Sequence, residues 1–500
     1  MTVSFEQIPS NIKTPGQFVE VDSSQATDGS GERPHKAVIF GYRLGGGTAS
    51  DGSLVTLSTG AAPVNVPVLV TRESDAIAAA GESSMAAQAA AAFLSTNNQT
   101  PTYLVCLDDP ATSPATGTVT FTASSPLAGT VNVYIGGTRY QVEVSTAATA
   151  ATLAALLAAT VNTDSGASVT ATVAVGVVTL TAKHPGIEAN GIDIRVNYRE
   201  TDRIPSGVTA VVSPMSGGTG SISLATAIAN LGGERYDTVV SGITEDAAIE
   251  ALDAELTDRW GPMIDADGHL FTGFAGTQGA TTTVLAGRNS FQHTIACVGQ
   301  SPTLPWVAAA DLAAVDAKQT QDDPARGRTG LRCKNVLAPA RTDRWAQNER
   351  NAVLSLGGAT IKPDASGNMV VERVTTTYLT NSQGAADPTW FDLSTKRTVS
   401  YLRWSWKNRM LRKFPRHKLA DDGTNFDPGQ AVVTPSTIRA EAVAWFSEME
   451  GRGLVENLEQ FTEFLVVERS EVDLNRIDSI LPPNTINKFV VGATSMQPRL

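Results

Sequence analysis

His293 and Cys297 stand four residues apart, a spacing that on a helix would put an imidazole base beside a thiol nucleophile. Such a pair needs an activated thiol and a third group to orient the base. The surrounding run TIACV (Thr294 to Val298) reads instead as a buried strand, whose neighbouring side chains face opposite ways. Asp108-Asp109 ends the apolar run TYLVCL, and paired carboxylates at a strand end can hold a divalent cation. Pro110 follows at once, at a shift in composition, which favours a solvated turn. Gly45-Gly46-Gly47 occupies the place of a dinucleotide loop, but no acidic partner follows at the expected strand end. The chain has no Gly-Lys-Ser/Thr and no Gly-x-Ser-x-Gly. No catalytic, cofactor or metal residue is assigned.

The residues that do stand out are basic. Nine Lys or Arg lie between Ser394 and Ala420, with no Asp or Glu between Asp392 and Asp421. The net charge is −12, so the rest of the chain carries about −21. Leu402, Trp406, Met410 and Phe414 recur every four residues, which predicts a helix over 395–414 with an apolar stripe. That stripe should pack on its own domain while Arg403, Lys407, Arg409 and Lys413 project elsewhere. Two readings stay open: a solvated face balanced by nearby acids, or a docking strip for an acidic partner surface. In the second, charge steers encounter and sets register more than it adds affinity. Nucleic acid is not expected, because the chain is acidic and no second basic segment supports the first.

The elements around these residues divide the chain. Five hundred residues suit two to four domains. Residues 1–25 form an arm: Pro9 and Pro15 break any helix, and Phe18, Val19 and Val21 begin a strand that must pair with something else. Residues 26–110 alternate strand (35–41), helix (75–95, Ser74 as cap) and strand (102–107), a βαβ unit. From 111 to 215 charges thin out and seven strands (118–123, 130–135, 140–144, 169–173, 177–182, 192–198, 208–212) surround an Ala-rich helix near 147–161, an inserted β-rich domain. The βα pattern resumes over 216–355, so the central α/β domain is discontinuous. A C-terminal α+β domain follows over 356–483, with a strand at 370–378, helices at 395–414 and 435–452, and strands at 461–468 and 473–481. Pro482-Pro483 then opens a second arm, 484–500, whose strand would include Lys488, Phe489, Val490 and Val491. The expected fold class is therefore α/β and multidomain, with an arm at each end.

Three cysteines (Cys106, Cys297, Cys333) are too few and too distant for a disulfide framework or a CxxC metal site, which suits a reducing compartment. The N-terminal residues carry neither a basic nor an apolar signal region. Val144 to Thr163 has no charge, but its Ala and Thr contribute little to insertion. It reads as a helix packed on a sheet, not a membrane span.

Several stretches, in order, resemble one family. SFEQIPSNIKTPGQFVEVDSS (Ser4 to Ser24) resembles the N-terminal arm of tail sheath proteins of contractile, Mu-like bacteriophages. HLFTGFAG with GRNSFQHTIACVGQSPTLPWVAAADLAA is similar to their central domain, TAKHPGIEANGIDIRVNY (Thr181 to Tyr198) to their inserted domain, and KFPRHKLADDGTNFDPGQAVVTPSTIRAE (Lys413 to Glu441) to their C-terminal domain. The resemblance implies a structural subunit, not an enzyme, that stacks as rings around a tail tube. It implies that both arms add strands to neighbouring copies, and that contraction drives the tube through the host envelope. Arg403, Lys407, Arg409 and Lys413 would then face the tube. The implied partners are the chain itself as a helical homopolymer, the tail tube protein, and baseplate and terminator proteins, with no cofactor. The implied location is the virion, after assembly in the host cytoplasm. The inserted domain would lie outermost. Two other readings fit the pattern less well: a virion surface adhesin built on the β-rich insertion, and an α/β enzyme.

Overall fold

The computed structural model describes residues 33–44, 62–427 and 429–499, together with the short strands Gly47–Thr48 and Leu54–Val55. Its central element is an eight-stranded sheet. Ala37–Tyr42 is apolar and wholly buried, as a strand covered on both faces must be. It pairs in parallel with Thr102–Leu107 on one side (Ala37 opposite Thr102) and Thr238–Ser241 on the other (Ala37 opposite Thr238). Leu270–Phe274, His293–Cys297 and Ala359–Pro363 extend the parallel ladder. Pro67–Val70 and Met369–Arg373 close the edges antiparallel.

Small residues let helices lie close on this sheet. A Cβ on Gly41 would come within 2.8 Å of the Ala86 backbone, and one on Gly273 would overlap the Pro305 carbonyl. The helices above them, Met85–Thr96 and Pro305–Asp322, bury rows of alanine. The Ala richness of the sequence is thus a close-packing device. The single helix predicted over 75–95 is two, Glu73–Ala80 and Met85–Thr96. Gly81 (φ 89°) and Ser83 (φ 63°) break the path. Ser74, the predicted cap, lies inside the first helix, whose N-cap position is Arg72, and Ser84 caps the second by accepting from the Ala87 N–H.

The insertion forms two antiparallel sheets. One has the order Val208–Ser216, Pro114–Ala123, Val177–Pro185, Val169–Ala174; the other Ile194–Val196, Gly129–Ile135, Thr138–Val144. The helix Ala150–Thr163, capped by Thr149, buries Leu153, Leu157 and Val161 in its core. No helix among the described residues is long and apolar enough to cross a membrane.

The central sheet continues past residue 355. The strand predicted over 370–378 was expected to open the C-terminal domain, but Met369–Arg373 and the unpredicted Ala359–Pro363 are the last two strands of the central sheet. Beyond them lie the helices Leu393–Lys413, Pro435–Gly451 and Leu458–Phe464, and a hairpin of Val466–Arg469 with Ile477–Ile480. Their separate core contains Leu402, Trp445, Phe446 and Phe461, with the two Phe rings stacked 4.1 Å apart. The strand predicted over 461–468 is half helix, because Asn457 (φ 72°) caps a short turn through the Gln460 N–H.

Candidate functional site

In a doubly wound sheet, ligands bind where neighbouring parallel strands send their chains to opposite sides. Here that point lies at the carboxyl ends of Ala37–Tyr42 and Thr238–Ser241. The inserted module supplies the side chains found there. Glu188 accepts from the Tyr42 hydroxyl (3.4 Å) and the Thr244 N–H (3.3 Å), bridging the two strand ends. His184 accepts from the Met85 N–H at Nε2 (3.2 Å) and faces Asp109 through Nδ1 (2.6 Å). Burial pushes the Glu188 carboxyl above its usual range and the Tyr42 hydroxyl likewise. The crevice is a domain junction held by the chain's own polar groups. The strand pattern at 177–182 and 192–198 and the resemblance over 181–198 give no sign of these contacts of His184 and Glu188.

His293 and Cys297 sit at the two ends of one buried strand. Burial drives the imidazole down to about 3 and the thiol up to about 12, so neither is poised for acid–base or nucleophilic work near neutrality. His293 bonds Thr272 (2.8 Å). Asp108 pairs with Arg43 (2.8 Å). No group of three or more metal-ligating side chains occurs among the described residues.

The basic helix Leu393–Lys413 divides into two halves. Its first half is buried against the amino ends of the central strands, a placement the charge run did not reveal. Lys396 donates to the Gly268 carbonyl (2.6 Å) and to Gln292, under the rings of Trp260 (5.5 Å) and Phe291 (5.7 Å). Burial, then repulsion from Arg397, pushes its ammonium well below the usual lysine range. Arg397 grips Asp316 (2.7 and 3.0 Å), which also holds Arg328 (2.9 Å). The available clue was the pair of carboxylates, Asp311 and Asp316, inside the Ala-rich stretch AAADLAAVDA.

The second half carries the four strip residues, and each has an acidic partner within the chain. Arg403 and Lys407 (2.6 Å) both hold Asp265. Arg409 holds Glu441 and Glu448 (2.7 Å), and Lys413 holds Glu441 (2.7 Å). Burial alone would raise the Asp265 and Glu441 carboxyls, but these cations hold both below their usual range. Lys407 and Lys413 remain about half exposed. Arg412 and Arg416 are exposed and form no ion pair among the described residues.

Of the arm residues, Phe18, Val19 and Val21 lie outside the described residues. At the other end the segment first clings to its own domain: Glu456 N–H bonds the Asn484 carbonyl (2.9 Å), and Ile486 N–H the Leu454 carbonyl (3.1 Å). Lys488 is tucked against Asp392 (3.4 Å). From there the chain runs without regular structure, with Phe489 91% and Val491 79% exposed, and Val490 half exposed. The strand predicted over 487–491 is not formed within the chain.

The phage tail sheath central-domain model matches residues 217–377 and the phage tail sheath C-terminal-domain model residues 385–497. The Mu-like prophage FluMu tail sheath protein of Haemophilus influenzae is 34% identical over 498 residues, covering 99% of each chain. Among solved structures, the sheath tail protein of Desulfitobacterium hafniense is 11% identical with a TM-score of 0.45, over 94% of this chain and all of that one. The contracted helical sheath of the anti-feeding prophage is 11% identical with a TM-score of 0.47, over 97% of this chain and all of that one. The chain belongs to the phage tail sheath protein family and is a structural component of a contractile phage tail, not an enzyme.

Proposed function

We propose that the protein polymerises as stacked rings around a tail tube, each copy lending both terminal arms to neighbours as extra strands, and that the polymer shortens to drive the tube through the host envelope. The observation that carries this reading is the exposed apolar arm beyond Lys488, with Phe489, Val491 and Met496 in solvent. Isolated extended segments gain little stability alone, and addition to a sheet edge satisfies their main-chain groups. A suitable edge exists: among the described residues the hairpin Val466–Arg469/Ile477–Ile480 has two strands only, so each offers one side unpaired there. Val466, Leu474 and Ile480 around it are also exposed.

In this reading residues 1–25 and 484–500 are the arms, 26–110 with 216–373 the central domain, 111–215 the outer module, and the remainder to 483 the domain that faces the tube through Arg403, Lys407, Arg409 and Lys413. The tail tube, baseplate and terminator proteins are the expected partners, and assembly takes place in the host cytoplasm. The test is truncation. Removing residues 1–20 or 484–500 should leave folded subunits that build no long sheath under the electron microscope. Normal sheaths from either truncated chain would sink the arm mechanism.

A further inference from the structure

A cleft of about 880 Å³ opens between the inserted module and the central domain, lined by Arg199, Arg203, Arg332, Lys334, Arg341 and Arg344. Against these six cations stand two carboxylates, Glu200 and Asp202, and both are engaged. Glu200 pairs with Arg341 (2.5 Å), and Asp202 accepts from the Tyr134 hydroxyl (2.8 Å), Asn132 (3.2 Å) and the Arg199 N–H (2.9 Å). Arg203 and Arg344 reach only carbonyls, and Arg199, Arg332 and Lys334 form no ion pair among the described residues. The walls are tied together, since the Tyr198 hydroxyl donates to the Ala338 carbonyl and Arg195 stands 3.8 Å from Asp343. A pre-formed, arginine-rich concavity is suited to planar carboxylates.

We infer that this cleft receives an acidic ridge from a second copy of the chain. The inference rests on the polymer reading above. The chain is acidic overall at −12, so another copy is itself a source of complementary charge. The ridge with the clearest claim spans the short helix and hairpin of the C-terminal domain. Glu459, Glu463, Glu468, Glu471 and Asp473 are all exposed there, and none forms an ion pair among the described residues. Arg469, within the same stretch, is taken by Asp421 (2.9 Å). One copy therefore carries an unneutralised basic cleft and an unneutralised acidic ridge. This is the requirement for a head-to-tail contact repeated along a helical assembly.

The experiment is a charge swap read by polymerisation of the full chain at two salt concentrations. Reversing the cleft (Arg199→Glu, Arg332→Glu, Arg344→Glu) should raise the critical concentration for polymer at least about tenfold, and reversing the ridge (Glu463→Lys, Glu468→Lys, Glu471→Lys) should do the same. Combining both sets should restore assembly to within about threefold of wild type, because the pairs re-form with opposite sign. Neutral variants (Arg199→Gln, Arg332→Gln, Arg344→Gln) with unchanged thermal unfolding serve where reversal harms folding, and should weaken the salt dependence of assembly. Unchanged critical concentrations in the cleft variants, or no rescue by the double set, would overturn the inference. So would cleft variants that lose binding of added polyphosphate yet polymerise as the wild type does, which would reassign the cleft to a non-protein polyanion. Wild-type chain that forms no polymer at all would instead overturn the polymer reading, and this inference with it.

Discussion

The Lys488 ammonium lies 3.4 Å from the Asp392 carboxylate, at the point where the C-terminal segment stops hugging its own domain. Asp392 is shared with Arg373 (2.8 Å) and immediately precedes the basic helix. The arm is thus fastened to the same corner from which that helix starts, so its anchored part and its exposed part meet at one residue.

A pH prediction follows from that contact. Burial outweighs attraction to Asp392 and lowers the Lys488 ammonium to about 8. A released arm would titrate near the ordinary lysine value of about 10.4. Between these values the released state binds more protons than the docked one, so docking strengthens as pH rises from about 8 towards 10. Hydrogen exchange at Ile486 and Glu456, corrected for intrinsic rates, should show more protection at pH 9.5 than at pH 7.5. Lys488→Met should remove the difference. Equal protection at both pH values in the wild type would show that Lys488 is not buried when docked.

Asp316 lies between two buried arginines. Burial alone would raise its carboxyl, but Arg397 and Arg328 hold it below the usual range. Removing one member of a buried set leaves the others uncompensated, so Asp316→Asn should cost about 3–5 kcal/mol in denaturant unfolding. A depressed carboxyl contributes stability above its unfolded value near 3.9, which is lost as pH falls through the folded one. The wild type, and not Asp316→Asn, should therefore lose this increment on acidification. A loss under about 1 kcal/mol in the variant would mean that the C-terminal domain does not depend on this joint.

Glu188 gives the opposite sign. Its carboxyl is raised by burial, so the folded state keeps a proton that the unfolded chain has already lost. Stability then falls as pH rises through the ordinary glutamate range. Gln keeps one carbonyl oxygen to accept from the Thr244 N–H and can turn its amide N–H toward the Tyr42 oxygen, without the charge. Glu188→Gln should stabilise by about 1 kcal/mol at pH 7 and hardly at all at pH 4. Thermal melts at the two pH values decide this. Destabilisation at pH 7 would mean the bridge needs the ionised carboxylate.

How far the sequence reveals this molecule depends on the length over which a pattern runs. Apolar strands such as 102–107 and the long helices fell close to their predicted limits, because periodicity is set by many residues at once. The break between Ala80 and Met85 was missed, because alanine is helix-favouring on every face and hides a turn made by two residues with positive φ. The burial of Lys396 and Arg397 does not show in the basic run that contains them, since their buried partners Gln292 and Asp316 are some 80 to 100 residues away in sequence. The strip residues were legible as a charged face. Their partners Asp265 and Glu441 were not, because ion pairs of this kind leave no local pattern.

Gly273 tests the close helix–sheet contact. An added Cβ would meet the Pro305 carbonyl and the Ala309 N, both backbone and unable to step aside. Gly273→Ala should destabilise by about 2–3 kcal/mol, as overpacking does. A variant as stable as wild type would show that Pro305–Asp322 can ride higher on the sheet.

The last prediction separates the strip's structural and contact roles. Arg403, Lys407, Arg409 and Lys413 share two acceptor sites, Asp265 and the Glu441 cluster, so much of their field is cancelled within the chain. Arg412, within the strip, and Arg416, just past the helix end at Lys413, are exposed and form no ion pair among the described residues. If this face meets an acidic tube, the uncancelled pair should matter most. Arg412→Glu with Arg416→Glu should lower the fraction of tubes carrying sheath about fivefold at low salt, without changing tubeless polymer or the melting temperature. Arg409→Glu should instead lower the melting temperature, because it sets a third carboxylate beside Glu441 and Glu448. Full occupancy of tubes by the double variant would place the tube contact elsewhere on the subunit.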